Sequence, residues 1–425
     1  MTPPEPESPA VPSPAAPAPP EDRQATEALV LGTMAFTACF YAWSLLGPLG
    51  PDLQDSLGLS DFELSVMVAV PVILGSLLRV PFGVMTDRLG GRRVFVGVLL
   101  FTLAPLVALA LWHDSYAGLL VLGLLLGVSG ASFAIGVPFV SRWYAAHRQG
   151  FALGVYGAGM GGTVLAGLTA PRIADAWGLA APFWVAAGLV AVVAVIFAWR
   201  ARTAGPPLAG GASLEAMLAP FRRDRRAWAL TLFYFLAFGG FVAMFLYLPK
   251  LLTGVHHLSR ADAGTRAAGF ALLAVIARPT GGWLSDRVGA RRVLMASFVG
   301  TGLLALGLAA SYRHMVPLTA CCLTMAVALG LGTGAVFRLV AEWFPRQVGS
   351  VTGVVGASGG LGGFFPPIVM GIVKSATGSY VIGFALLALV AVVCLAVLVR
   401  LDHAAPEVRG APASGVARMT AEGSG

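Results

Sequence analysis

The sequence predicts an all-α polytopic membrane protein with twelve transmembrane helices in two pseudo-symmetric halves of six. Composition, recurring apolar runs and an internal repeat support this fold class. Of the 425 residues, 57% are hydrophobic and only 11% are charged, whereas about 25% of residues are charged in a typical soluble domain. Apolar runs of roughly 20 residues, long enough to cross a bilayer as a helix, recur along the chain. An outer-membrane barrel would alternate polar and apolar residues instead.

The elements follow one another in a regular order along the chain. Residues 1–26 are rich in Pro and Ala and predict a disordered tail without the features of a signal peptide. Twelve predicted spans follow, at 28–49, 63–85, 93–112, 117–140, 150–172, 179–199, 227–249, 265–285, 293–311, 316–338, 348–372 and 378–400. The predicted domains are therefore an N-terminal bundle (27–200), a cytoplasmic linker (201–226), a C-terminal bundle (227–400) and a disordered tail (401–425).

The basic residues predict the orientation of the chain. Most of the 28 lysines and arginines lie in the tails, the linker and the loops on one side of the predicted spans. The positive-inside rule makes that side cytoplasmic, with both termini there, in an inner membrane. The net charge of +8 is thus explained by topology, and we expect a lipid bilayer and no nucleic acid as partner. We expect a monomer without cofactor, metal site or enzymatic activity, because no motif for these is visible.

Two strings, GVMTDRLGGRR (83–93) and GWLSDRVGARR (282–292), repeat at a constant offset between the halves. Internal repeats mark secondary transporters, whose substrate site lies near mid-membrane between the halves. Both strings also resemble the signature loop of the major facilitator superfamily, at the helices where that fold has it. The resemblance implies a cytoplasmic latch, and the alternative is that the charges only set topology. The latch residues would be Gly83, Asp87, Arg88 and Arg92, with their counterparts Gly282, Asp286, Arg287 and Arg291.

Two arginines at matched positions of the repeat lie deep in the predicted membrane. Arg79 and Arg278 each stand eight residues before the aspartate of the repeated string, about 12 Å inside the helix end. An arginine near the midplane costs about 2.5–3.5 kcal/mol on insertion scales and is functional by default. All acidic residues lie in tails, loops or helix ends, so the missing counter-charge is interpreted as a substrate anion. Alternatively, each arginine binds backbone carbonyls and holds helices together.

Predicted spans 5 and 11 contain the glycine-rich stretches GVYGAGMGGTVLAG (154–167) and GVVGASGGLGGFFPP (353–367). A dinucleotide-binding loop is excluded, because the pattern lies in an apolar run and follows no strand. Glycines four apart let helices approach closely in lipid. The further interpretation is that bare backbone lines the anion path. The candidate glycines are Gly157, Gly159, Gly161, Gly356, Gly359 and Gly360.

These glycine stretches, together with FYAWSLLGPLGP (40–51), FYFLAFGGFVAMFLYLP (233–249) and GAVFRLVAEWFP (334–345), resemble the nitrate/nitrite porter family. The resemblance covers all twelve predicted spans. It implies that Arg79 and Arg278 clamp the anion, that Phe133 and Phe337 sandwich it, and that Tyr234 also lies at the site.

One residue departs from the family pattern. Met160 stands where the family usually has Asn, and a thioether is only a weak hydrogen-bond acceptor. The predicted function is secondary transport of nitrate or nitrite by alternating access. Exchange is favoured over proton symport because the spans show no membrane carboxylate or histidine. The alternatives are the same fold carrying another small anion, such as a carboxylate, and an anion receptor that does not transport.

Overall fold

The computed structural model describes residues 22–144, 149–204, 214–344 and 348–403. These residues form twelve spans and no strand, which confirms the all-α polytopic fold. The spans are 1 (Asp22–Trp43), 2 (Asp61–Leu77 and Arg79–Leu89), 3 (Gly91–Leu111), 4 (Tyr116–Leu126, the 3-10 turn Gly127–Ala131 and Ser132–Ser141), 5 (Gln149–Gly157, the 3-10 turn Ala158–Met160 and Gly161–Trp177), 6 (Ala181–Arg200), 7 (Arg225–His256), 8 (Arg260–Val288), 9 (Ala290–Ser311), 10 (Met315–Trp343), 11 (Val348–Thr377) and 12 (Val381–His403). Short helices at Gly50–Leu57 and Leu214–Arg223 precede spans 2 and 7.

Within the described residues, eleven helices are long and apolar enough to cross a membrane. Span 5 is the twelfth, and its two helices are too short individually because the 3-10 turn Ala158–Met160 interrupts it. The interruption falls in the segment GVYGAGMGG, where glycine is a poor helix former. Span 2 also changes helix at Leu78, immediately before Arg79. Span 11, in contrast, continues through Pro366 and Pro367.

Several predicted boundaries are corrected by the structure. The predicted disordered tail, residues 1–26, is helical from Asp22 onward, and residues 1–21 lie outside the described residues. The N-terminal end of this helix is held against span 6 by an ion pair, in which Glu27 Oε1 lies 2.8 Å from Arg200 Nε. The predicted linker contains the amphipathic helix Leu214–Arg223. The predicted tail at 401–425 is helical to residue 403, and residues 404–425 lie outside the described residues.

The repeat seen in the sequence also appears in the backbone. Spans 2 and 8 both end at a glycine with positive φ, 84° at Gly90 and 93° at Gly289. Residues with a Cβ rarely adopt this conformation, so glycine ends the helix before each pair of arginines. Matching turns of this kind place the two repeated strings on one face of the molecule, which we call the signature-loop face.

The halves meet along spans 2, 5, 8 and 11. Spans 5 and 8 are in backbone contact, since a Cβ on Gly264 would lie 2.5 Å from the carbonyl oxygen of Gly167. Spans 2 and 11 are similarly close, since a Cβ on Gly371 would lie 2.2 Å from Ser65 Oγ. Spans 2 and 8 carry the two predicted membrane arginines, so both arginines lie in helices that form the interface between the halves.

Candidate functional site

Arg79 of span 2 is 3% exposed and extends into the C-terminal half. Its Nη1 donates to the backbone carbonyl of Gly356 on span 11. Its guanidinium carbon lies 5.2 Å from the ring centroid of Phe238 on span 7, within the range of a cation–π contact. Its Nε is buried without a hydrogen-bond partner. The alternative noted from the sequence, an arginine bound to a backbone carbonyl, therefore describes only part of its surroundings.

Arg278 of span 8 extends in the opposite direction, into the N-terminal half. Its Nη1 lies 2.7 Å from the thioether sulfur of Met160 on span 5. Its Nη2 donates to Tyr234 Oη at 3.5 Å. The guanidinium carbon lies 5.2 Å from the centroid of Phe133 and 5.6 Å from that of Phe337. Because a thioether is a weak acceptor and 3.5 Å is long, this guanidinium retains donor capacity for a stronger partner.

Aromatic rings of span 7 lie between the two arginines. The rings of Tyr234 and Phe238 are stacked, with centroids 5.2 Å apart and an interplanar angle of 1°. They stand four residues apart and so share one face of the helix. Tyr234 also packs edge-on against Phe337 at 4.8 Å. The centroids of Phe133 and Phe337, one from each half, are 6.5 Å apart.

No carboxylate pairs with either guanidinium among the described side chains. The contacts of Arg79 and Arg278 are a carbonyl, a thioether, a hydroxyl and aromatic rings. The positive charge of Arg278 acts on Arg79, and the other described electrostatic partners of Arg79 are Tyr234 and Tyr156, with no carboxylate among them. The site therefore carries two positive charges at the interface of the halves, an arrangement that can bind an anion.

The glycines of span 11 make room for the site. Gly356 provides the carbonyl that accepts from Arg79. A Cβ on Gly359 would lie 2.1 Å from Cδ1 of Tyr234. A Cβ on Gly360 would lie 2.0 Å from Ser76 Oγ of span 2. All three predicted glycines of this span thus contact the site or the opposite half.

The glycines of span 5 differ from the prediction. No atom lies within 4 Å of a Cβ built on Gly157 or Gly161, so the interpretation of close packing is wrong for this pair. The close contacts occur instead at Gly159, 2.5 Å from Phe36 Cδ1, and at Gly162, 2.2 Å from the carbonyl oxygen of Thr37. The 3-10 turn has three residues per turn, so positions three apart share a face, and Gly159 and Gly162 accordingly both contact span 1. The same turn directs Met160 toward Arg278.

The predicted latch residues lie on the signature-loop face, and the described ones bind mostly within their own half. Asp286 Oδ1 lies 2.6 Å from Arg338 Nε, and Arg92 Nη2 donates to the carbonyl of Ala198. Arg287 and Arg291 lie over the rings of Trp283 and Trp343, at 4.0 and 5.6 Å. Arg88 is exposed. A Cβ on Gly83 or Gly282 would meet no described atom within 4 Å. The side chain of Asp87 lies outside the described ones.

Two aromatic residues of the site were not found from the sequence. Phe238 lies under Arg79, and its position four residues after Tyr234 was the available signal. Tyr156 stacks on Phe133 with centroids 6.2 Å apart and donates from Oη to the carbonyl of Ser132 at 2.9 Å. It belongs to the glycine-rich stretch of span 5, where the glycines alone were singled out.

Solved structures and family models define the class of this protein. A bacterial homologue of the human lysosomal transporter Spinster, crystallised in an inward-facing and occupied conformation, superposes with a TM-score of 0.72 at 15% identity, covering 91% of this chain and 97% of its own. At that identity the likeness shows the fold alone. The family model of the Major Facilitator Superfamily matches residues 32–265 and 251–421. The chain belongs to the major facilitator superfamily.

More similar relatives narrow the family. The probable nitrate/nitrite transporter NarK2 of Mycobacterium tuberculosis is 42% identical over 86% of this chain and 93% of its own length. The nitrite extrusion protein of Bacillus subtilis is 39% identical over 85% and 91%. The probable nitrate transporter NarT of Staphylococcus epidermidis is 34% identical over 91% and 99%. Within the superfamily, the chain is a member of the nitrate/nitrite porter family.

Proposed function

We propose that this protein transports nitrate and nitrite across the cytoplasmic membrane by alternating access, with both termini in the cytoplasm, and acts as a monomer. The observation that carries the proposal is the pair of guanidiniums at the interface, which have no carboxylate partner among the described side chains. Guanidinium forks donate paired hydrogen bonds in one plane and suit planar oxyanions. The names of the relatives in M. tuberculosis and S. epidermidis support the same substrates.

The rings around Arg278 suit a flat ion. Phe133 and Phe337 are 6.5 Å apart between centroids, and carbon contacts are optimal at about 3.5–4.0 Å. A planar ion between the rings needs about 7 Å in all, so the rings, now tilted by 38°, must turn toward parallel and separate slightly to admit it. Arg278 lies over both rings and would bind the edge of an ion held there.

The two arginines also support exchange as the proposed transport mode, in preference to return of the empty carrier. Each arginine crosses from its own half to the other, so an anion between them neutralises charge and draws the bundles 27–200 and 227–400 together. Without an anion, two like charges remain in the membrane interior, at about 2.5–3.5 kcal/mol each on insertion scales. Reorientation is therefore easier with an anion bound.

Electrical work points the same way. Moving one negative charge into an inside-negative cell costs about 2.3 kcal/mol per 100 mV. Exchange of one monovalent anion for another moves no net charge and avoids this work. The Bacillus subtilis relative is named for nitrite extrusion, and a nitrate-in, nitrite-out exchange fits that name. We expect exchange in liposomes to be unaffected when the membrane potential is clamped.

Counterflow of labelled nitrate in proteoliposomes tests the proposal. Arg79→Lys and Arg278→Lys keep the charge but lose the planar fork, and we expect each to raise the KM for nitrate at least about ten-fold. This follows because a hydrogen bond to a charged group contributes about 1.5–3 kcal/mol. Arg313→Lys is the matched control, since Arg313 is an exposed arginine outside the site whose contacts among the described residues are with Tyr312. Parental KM in either site variant would refute the proposal.

One contact favours a second candidate, another small anion such as a carboxylate. Met160 lies directly against Arg278, so the anion meets a thioether where the family usually has an amide. A competition panel of nitrate, nitrite, formate, oxalate and phosphate separates the two candidates. Strongest inhibition by formate or oxalate would favour the carboxylate.

A further inference from the structure

A cluster of ion pairs joins the two halves on the face opposite the signature loops. Arg260, the first residue of span 8, has Nε 2.9 Å from Asp52 Oδ1 and Nη2 2.6 Å from Asp55 Oδ2. Both aspartates belong to the short helix between spans 1 and 2. Beside them, Lys250 Nζ of span 7 lies 3.1 Å from Asp61 Oδ1 of span 2. Among the side chains that the structure describes, the ion pairs between the halves all lie in this cluster.

The cluster is distinct from the arginine site. Arg260 and Arg278 stand eighteen residues apart on the same helix, which corresponds to about 27 Å along the helix axis. Closer to the cluster, Arg172 of span 5 donates to Thr265 Oγ1 of span 8 at 2.7 Å. These contacts close the opposite face of the molecule, so opening a path to that face requires Arg260 and Lys250 to leave their partners.

Asp52 differs from the other carboxylates of the cluster by its burial. Its side chain is 6% exposed, whereas that of Asp55, bound to the same arginine, is 70% exposed. Its Oδ1 pairs with Arg260, and its Oδ2 is buried without a hydrogen-bond partner. Burying a carboxylate oxygen without a partner disfavours the ionised form.

The surrounding charges add to this effect. The charged groups that act on Asp52 are Arg260 of span 8, Asp55 of its own helix and Asp175 at the end of span 5. Burial is the largest influence and raises the pKa of Asp52 from its ordinary 3.8 to about 6; Arg260 lowers this pKa, and Asp175 and Asp55 raise it. In the adjacent pair, the positive charge of Lys250 neutralises the negative charge of Asp61.

We propose that Asp52 is a proton-binding site that controls closure of this face: the protonated carboxyl favours the closed arrangement, and the carboxylate favours the open one. The proposal rests on the alternating access proposed above, which supplies the open arrangement. Protonation leaves the contact between the halves in place, because Arg260 keeps its ion pair with Asp55. It removes the buried negative charge, and the ion pair between Asp52 and Arg260 becomes a hydrogen bond to a neutral carboxyl.

The sign and size of the effect follow from linkage. The closed arrangement binds the proton with a pKa of about 6, and water reaching Asp52 in the open arrangement returns the pKa to about 3.8. Stabilisation of the closed face is therefore present at low pH and is lost as the pH rises through 6. Between pH 7.5 and 5.5, the ratio of closed to open molecules should rise about four-fold.

Distance measurements between spin labels test the proposal on the full-length protein in lipid nanodiscs. Labels go on cysteines placed at Trp112, in the N-terminal half, and Val316, in the C-terminal half; both are exposed, at 66% and 80%. The background replaces the four native cysteines and must retain the thermal stability of the parent in detergent. We expect the short-distance population, relative to the long one, to rise about four-fold from pH 7.5 to 5.5.

Two variants distinguish a pH response that arises from Asp52 from one that arises from histidine side chains, which ordinarily titrate in the same pH range. Asp52→Asn mimics the protonated carboxyl. In this variant we expect the short-distance population to be high at both pH values, without the rise of about four-fold expected in the parent. Asp262→Asn is the matched control, because it removes an exposed carboxylate at the start of the same span 8 that binds Ser259 and not Arg260, and it should keep the parental pH response. A response unchanged in Asp52→Asn, or one of opposite sign in the parent, would overturn the proposal.

The readout separates this inference from the proposed transport. Suppose that nitrate counterflow fails, that the parent shows the pH response, and that Asp52→Asn does not. The assignment of nitrate as substrate is then wrong, and the proposed proton site is supported. If counterflow succeeds with its arginine dependence but the distances ignore pH, the proton site is wrong and the transport proposal stands. If one distance alone is seen at all conditions, no opening of this face occurs and the inference is overturned.

Discussion

Gly359→Ala tests whether the glycines of span 11 exist to position Tyr234 between the arginines. A Cβ at this position would lie 2.1 Å from Cδ1 and 2.4 Å from Cε1 of the tyrosine ring. Carbon atoms in contact lie about 3.5–4.0 Å apart, so the ring must move by more than about 1 Å. Tyr234 is 1% exposed and stacked on Phe238, so the ring can move only by displacing packed neighbours.

The displacement should weaken substrate binding more than it weakens the fold. Overpacking of this kind costs about 1–3 kcal/mol of stability. Moving Tyr234 also breaks its contact with Arg278, which is already long at 3.5 Å. Losing one hydrogen bond at a charged group costs about 1.5–3 kcal/mol, which is a ten-fold or larger rise in KM. We therefore expect the KM for nitrate to rise at least about ten-fold.

The assay is the initial rate of nitrate counterflow against nitrate concentration, with thermal stability in detergent measured alongside. Gly188→Ala is the matched control, because Gly188 is an exposed glycine of span 6 whose Cβ would meet no described atom within 4 Å, and it should keep the parental KM. A parental KM in Gly359→Ala, in a variant as stable as the control, would refute the reasoning about Tyr234.

Three further substitutions follow from the same contacts. Gly360→Ala places a Cβ 2.0 Å from Ser76 Oγ, and the transport rate should fall at least about ten-fold. Adding Ser76→Gly to this variant should restore the rate; a rate that stays low would show that the clash between spans 2 and 11 is not the cause. Met160→Asn supplies an amide donor beside Arg278, and competition assays should show nitrate affinity rising about two- to ten-fold; unchanged affinity would contradict this. Phe238→Leu removes the ring under Arg79, and KM should rise about two- to thirty-fold, with no rise arguing against a cation–π role.

The spans and the arginine pair could be predicted because their signals are local. Apolar runs define the spans, and the repeated strings place Arg79 and Arg278 at equal depth. The matched positive-φ glycines Gly90 and Gly289 carry the same repeat into the backbone. These features depend on the chain near each residue, so the sequence alone is enough.

Other features depend on packing and could not be predicted. The 3-10 turn in span 5 changes which glycines face a neighbour, and a spacing rule for regular helices fails there. Asp52 stands in a loop segment of the sequence, where an acidic residue is expected to be solvated. Its burial arises in the folded chain, where the short helix packs against spans 2 and 7 and Asp52 pairs with Arg260 of span 8.

An experimental structure determined with nitrate present tests the central claim most directly. The account predicts density for one planar anion within about 3 Å of guanidinium nitrogens of both Arg79 and Arg278, beside the rings of Phe133 and Phe337. Nitrate bound elsewhere, or an aspartate or glutamate paired with either arginine, would contradict it.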